Sequence, residues 1–271
     1  KAISMPSVAT TFWRAVFAGV ALVIWVLATR SKERFRSRTL KGWLTMAGVG
    51  IMTTGNWYFY IHATQVSTVA IAVICLFTYP LMTVCVEPLF FHERMKRVDV
   101  LAGMLVLVGV AVLVGRLSLD DRTSVGAIFG LLSAACLTAR NLLSRQGTVE
   151  MGPTAVAFYC FLAVVPLLAI PAIPHGFPAG RDLALLLILG CLLTTVSHVA
   201  VIASMRTLTS AFASIIISVQ PVFATLIAWL WLGEAISIRT GVGGVLILSA
   251  VGLSVGWRWR AMRRAMEQRK D

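Results

Sequence analysis

The sequence predicts an all-α polytopic membrane protein made of two inverted five-helix repeats, with nine of the ten transmembrane helices present in the chain. Three observations carry this. Of 271 residues, 58% are hydrophobic and 13% charged, with a mean hydropathy of +0.87; one soluble domain cannot bury that much apolar surface, so lipid is the solvent. Nine stretches are apolar over the length of about 20 residues needed to cross roughly 30 Å of hydrocarbon. Sliding the chain against itself by 141 positions brings Pro80 onto Pro221, Glu93 onto Glu234, Gly103 onto Gly244 and Gly115 onto Gly256.

In order, the spans cover residues 8–29, 42–62, 66–91, 98–116, 125–145, 153–174, 182–204, 207–232 and 239–257. Their connections are short, which excludes a soluble domain and confines any chemistry to membrane depth or the two faces. The register of the duplication continues upstream, with Thr53 and Thr54 on Thr194 and Thr195, and Thr68, Ala70 and Ala72 on Thr209, Ala211 and Ala213. Mapping the fifth span back by 141 positions runs off the start of the chain, so the first helix of the first repeat is expected to lie outside this sequence. The opening Lys1-Ala2-Ile3-Ser4 fits that reading; a nine-helix protein is the alternative. The expected organisation is a first repeat over 1–116 lacking most of its first helix, a connecting loop over 117–124, a second repeat over 125–257 and a basic tail over 258–271. Five helices is an odd number, so the second repeat enters the membrane from the side opposite the first.

The net charge of +13 does not point to nucleic acid once its distribution is followed. Alternating sides along the spans puts 18 of the 24 Lys and Arg residues on one face, in the 30–41 and 92–97 segments, at Arg140, Arg145 and Arg206, and in the tail. Five lie on the other face, and Arg14 is inside the first span. This is the positive-inside pattern, so the richer face and the C-terminus are expected to be cytoplasmic.

Proline interrupts the same place in both repeats. It has no amide to donate and clashes with the preceding turn, so Pro80 and Pro221 deprive the carbonyls of Leu76 and Ile217 of helical partners. Either both prolines simply kink their helices, or the breaks also mark a substrate pathway, as broken helices do in inverted-repeat membrane proteins.

These residues carry a family resemblance. A small-residue-rich helix with a mid-span proline, an apolar turn ending in Glu and a Gly-rich helix occurs twice. The first copy runs Thr68-Val69-Ala70-Ile71-Ala72 to Pro80 to Glu93, the second Thr209-Ser210-Ala211-Phe212-Ala213 to Pro221 to Gly233-Glu234. The pattern resembles the EamA-type branch of the drug/metabolite transporter superfamily, over essentially the whole chain. The resemblance implies ten helices in two inverted units and transport of small metabolites, often outward; export of amino acids or related solutes across a bacterial inner membrane is the expectation. Where the family has Gly before the first Glu, this chain has His92.

Repeat symmetry selects the candidate substrate residues. Asn56 and Trp57 pair with Ser197 and His198, and Tyr79 pairs with Gln220, giving a polar and aromatic cluster suited to an organic solute. Tyr60 extends the wall, although it and Trp57 equally suit an interfacial aromatic belt. Arg14 and His198 are ionisable residues within spans, which usually face a cavity; Arg14 could bind a substrate carboxylate or snorkel to the outer face. Glu93 and Glu234 read as structural, and proton coupling has no evident mid-membrane carboxylate.

Enzyme chemistry finds no support. His92-Glu93-Arg94-Met95-Lys96 begins like a zinc-protease motif but lacks the second histidine. Ser197 and His198, about 100° apart on a helix, cannot form a facing nucleophile and base. The five cysteines are dispersed through the spans without metal or disulfide spacing. No catalytic residue, metal or cofactor is expected. The partners are a small-molecule substrate and the lipid bilayer, with a monomer as the expected state. A membrane scaffold or receptor remains the rival to a transporter working by alternating access around a midplane site.

Overall fold

The computed structural model describes residues 4–29, 39–67, 69–92, 95–114, 121–223, 226, 230 and 238–267. Among them there is helix and no strand, as lipid requires: a helix satisfies every backbone polar group within its own segment. The principal helices are α1 (Ser7–Thr29), α2 (Leu40–Val66), α3 (Val69–Leu76), α4 (Tyr79–Phe91), α5 (Arg97–Val114), α6 (Asp121–Glu150), α7 (Pro153–Ala172), α8 (Gly180–Leu187), α9 (Thr195–Ser204), α10 (Ser210–Ile217) and α11 (Ile238–Glu267). Six stretches among the described residues are long and apolar enough to cross a membrane: Val8–Ala28, Ile71–Phe91, Ser124–Glu150, Pro153–His175, Gly180–Ser204 and Gly241–Ala261. The expected spans at 42–62 and 98–116 coincide with α2 and α5, and the one at 207–232 lies partly outside the described residues.

The chain forms two compact units, Lys1–Ile61 with Ala139–Leu208 and His62–Thr138 with Thr209–Asp271. Each draws helices from both sequence repeats, and the division runs within α2 and α6.

In the first unit, α1 packs against α7 and against the π-helical segment Ile188–Thr194 that joins α8 to α9. Its core contains Leu22, Val49, Val156, Phe161 and Ile202. Gly190 is what allows α1 so close: a Cβ there would stand 2.8 Å from Phe17 Cβ and 2.9 Å from the Arg14 carbonyl oxygen. The π segment and the first residue of α9 then donate to α1, Cys191 Sγ to Phe17 O at 3.5 Å and Thr195 Oγ1 to Ala18 O at 3.3 Å.

In the second unit, the most extensive pairing is α5 with α11, around Val106, Val110, Ile247 and Ala250. Small residues permit such approach in lipid. The close contact is at Gly109, where a Cβ would lie 2.9 Å from Gly243 O, whereas Gly252 faces open space.

Both proline breaks are visible. The chain turns at Phe77 and Thr78 between α3 and α4, and again at Ser218 and Val219 after α10, before helix resumes at Gln220. Pro80 and Pro221 are each the second residue of the renewed helix, where a missing amide removes no helical bond. The preceding hydroxyls close the ends: Thr78 Oγ1 donates to Cys75 O at 2.7 Å and Ser218 Oγ to Ser214 O at 2.8 Å.

His92, at the position where the resemblance leads one to expect glycine, ends α4 in the left-handed region with φ 52° and ψ 28°. That is the helix-ending conformation glycine adopts most readily. Glu93, Gly233 and Glu234 lie outside the described residues.

Candidate functional site

The first unit gathers three of the residues that symmetry and burial single out. Arg14, two turns into α1, holds its guanidinium carbon 4.6 Å from the centre of the Trp57 ring. Trp57 in turn meets His198 edge-on, with ring centroids 6.1 Å apart and an interplanar angle of 86°. Phe161 of α7 also packs against His198, with ring centroids 5.2 Å apart. Four helices, α1, α2, α7 and α9, thus converge on one imidazole.

Local chain geometry aims that imidazole. His198 lies one turn beyond the π segment, and its Nδ1 is 3.0 Å from Thr194 O. A carbonyl oxygen can only accept, so the contact places a proton on Nδ1 and leaves Nε2 as the ring's second polar atom. Ser197 also donates to Thr194 O, at 3.1 Å, and is exposed. Asn56 is buried beside Trp57 in the chain, and Tyr60 is half-buried one turn along α2.

One residue of this site escaped the sequence reading. Arg140, which alternation along the spans groups with the cytoplasmic charges, is 7% exposed, one turn along α6 from Leu143, which packs against the same core cluster as Trp57. The signal was available in the Arg140-Asn141 pair within an otherwise apolar span. Asn141 is 2% exposed, and its Oδ1, together with Nε of Arg14 and Nε of Arg140, is buried without a hydrogen-bond partner among the described residues.

The other candidates belong to the second unit. Tyr79 is buried, and its hydroxyl donates to Ser214 O at 3.2 Å, while Gln220 is exposed. Pro80 is buried and Pro221 half-buried. This unit also holds a polar cluster that spacing did not reveal. The two carboxylate oxygens of Glu87 accept the backbone N–H groups of Ser210 and Ala211, the first two of α10. Asp99 accepts from Ser254 Oγ at 2.9 Å and from Arg258 at 3.0 Å. Arg258 also donates to Thr209 Oγ1, the side chain that caps α10 by accepting from Phe212 N. The described residues contain no cluster of His, Cys, Asp and Glu able to hold a metal.

The sequence model of the EamA-like transporter family matches residues 1–115 and 124–256. The chain belongs to that family. Like other EamA-like transporters it is an integral membrane protein serving a small-molecule substrate. It is similar to an uncharacterized transporter of Archaeoglobus fulgidus, 26% identical over 93% of this chain and 87% of the relative. It is also similar to the pseudopaline exporter CntI of Pseudomonas aeruginosa, 29% identical over 70% of this chain and 67% of the exporter. A solved crystal structure 19% identical in sequence shares the fold, with a TM-score of 0.80 over 93% of this chain and 88% of the other.

Proposed function

We propose that this EamA-like transporter exports small organic metabolites, amino acids or related solutes, across a bacterial inner membrane by alternating access. The observation that carries the reading is the Arg14–Trp57–His198 cluster. Arg14 and Trp57 come from the first sequence repeat and His198 from the second, so motion of one repeat against the other remakes the site. Asn56, Tyr60 and Ser197 complete this part of the pathway. In the second unit, Tyr79 and Gln220 flank the prolines, and the breaks at Pro80 and Pro221 are the points at which helices bend as access alternates. The similarity to a protein named an exporter supports the outward direction, and the charge asymmetry supports a cytoplasmic C-terminus. The protein acts as a monomer, since one chain carries both repeats.

Proteoliposomes offered radiolabelled amino acids, nucleosides and cationic drugs test the proposal. Uptake above empty vesicles is expected for at least one class, and its response to collapse of a proton gradient separates antiport from facilitated diffusion. Purified, monodisperse protein that moves none of them favours the scaffold or receptor reading instead.

A further inference from the structure

Two arginines are enclosed among apolar helices of the first unit. Arg140 is 7% exposed, Arg14 is half-buried, and the Nε of each is buried with no hydrogen-bond partner among the described residues. Within a bilayer an enclosed cation is costly unless an opposite charge or a set of acceptors meets it. The two acids described in this unit are engaged elsewhere: Asp182 accepts from Ser4, and Glu150 from the Thr39 hydroxyl. Ser144, one turn along α6 from Arg140, is likewise buried with an unpartnered Oγ.

Arg14 stands over the Trp57 ring, and Leu143, one turn along α6 from Arg140, packs against the same core cluster as Trp57. Positive charge from α1 and α6 thus borders the contact between Trp57 and His198. A cationic solute would be repelled from this place, and one without a negative group would leave both guanidinium groups without a counter-charge among the described residues. An inorganic anion would meet the charges but make no use of the half-buried Trp57 ring.

Resting on the transporter reading, we infer that the solute is an organic anion. It carries at least one carboxylate held by Arg14 and Arg140, and a flat or apolar body that packs on Trp57. Guanidinium and carboxylate match in planar, paired hydrogen-bonding geometry, and the energetic gain is large where water is excluded.

The test is binding of three acids, glutamate, citrate and 3-phenylpropionate, each against its methyl ester, to the full chain purified in detergent. At least one acid is expected to bind about tenfold or more tightly than its ester, the difference one charge-assisted contact supplies. Arg140→Gln and, separately, Arg14→Gln should shrink that difference, while Arg140→Lys should keep part of it; size-exclusion profiles establish that each variant is folded. Esters binding as well as acids, in protein that still transports, would overturn the anion inference and leave the transporter reading standing. Displacement of the acid by sulfate at equal concentration would reduce the site to one for simple anions and overturn the organic part. Protein that neither binds nor transports any probe would remove both readings together.

Discussion

The guanidinium of Arg14 stands over the face of Trp57, with its carbon 4.6 Å from the ring centre. Such a contact contributes about 0.5–2 kcal/mol, and the same Trp57 ring meets His198 edge-on. Trp57→Ala is therefore expected to weaken substrate binding by about twofold to thirtyfold, more for aromatic or bulky solutes than for small ones, with Trp57→Phe intermediate. His198→Ala and Gln220→Ala should each cost about threefold to tenfold. Affinities on monodisperse variants across solutes of different size provide the measurement; unchanged affinities in all of them would place the substrate on other helix faces.

Gly190 sets the position of Arg14 indirectly. Because a Cβ at residue 190 would press on Phe17 Cβ and the Arg14 carbonyl at under 3 Å, Gly190→Ala must push α1 from the π segment. The expected result is reduced transport with a smaller loss in melting temperature, whereas Gly252→Ala, in open space, should leave both unchanged.

Glu87 caps α10 by accepting two backbone N–H groups, the Ala211 bond at 2.9 Å. Glu87→Ala leaves those buried donors unsatisfied and should cost about 1–3 kcal/mol of stability per group, read as a lower melting temperature in detergent. Asp99→Asn should destabilise in the same direction by weakening the hold on Arg258, and Arg258→Lys should reproduce part of the effect because it loses the branched donor set. A melting temperature equal to the parent in Glu87→Ala would show that the cap contributes nothing.

His92 keeps α4 closed in a conformation that costs a non-glycine residue about 1 kcal/mol. His92→Gly should raise stability by about 0.5–1 kcal/mol, with part of the gain offset by glycine's greater freedom in the unfolded chain. A destabilised His92→Gly would reveal a contact of the imidazole that outweighs the backbone strain.

The charge asymmetry predicts that the 30–41 loop and the tail after Trp257 face the cytoplasm. On a background lacking the five native cysteines, a cysteine at Ser37 should react only with membrane-permeant reagents in intact cells. Labelling of that cysteine from outside would reverse the orientation.

The prolines test the pathway itself. Pro80→Ala and Pro221→Ala restore an amide at the second residue of each renewed helix, so the turns at 77–78 and 218–219 lose part of their reason to exist. Transport should fall while expression and melting temperature hold; full transport in both variants would make the breaks matters of packing alone.

Membrane residence, helical secondary structure, the duplication and the two proline breaks were all legible in the residues, because each depends on composition, local backbone chemistry or spacing along one chain. Arg14, Trp57 and His198 were also nominated there, since repeat symmetry and the cost of ionisable groups in lipid are properties of sequence. What only the tertiary structure decided is who meets whom. Glu87 reaches the start of α10 across 123 positions, Asp99 reaches Arg258 across 159, and Arg140, which its place near a span end made look like a surface charge, is buried. In a bundle whose helices are apolar almost all round, no amphipathic stripe announces the inward face. Rotation is then set by small residues such as Gly109 and Gly190, which let particular helices approach and leave the polar side chains to face wherever that packing turns them.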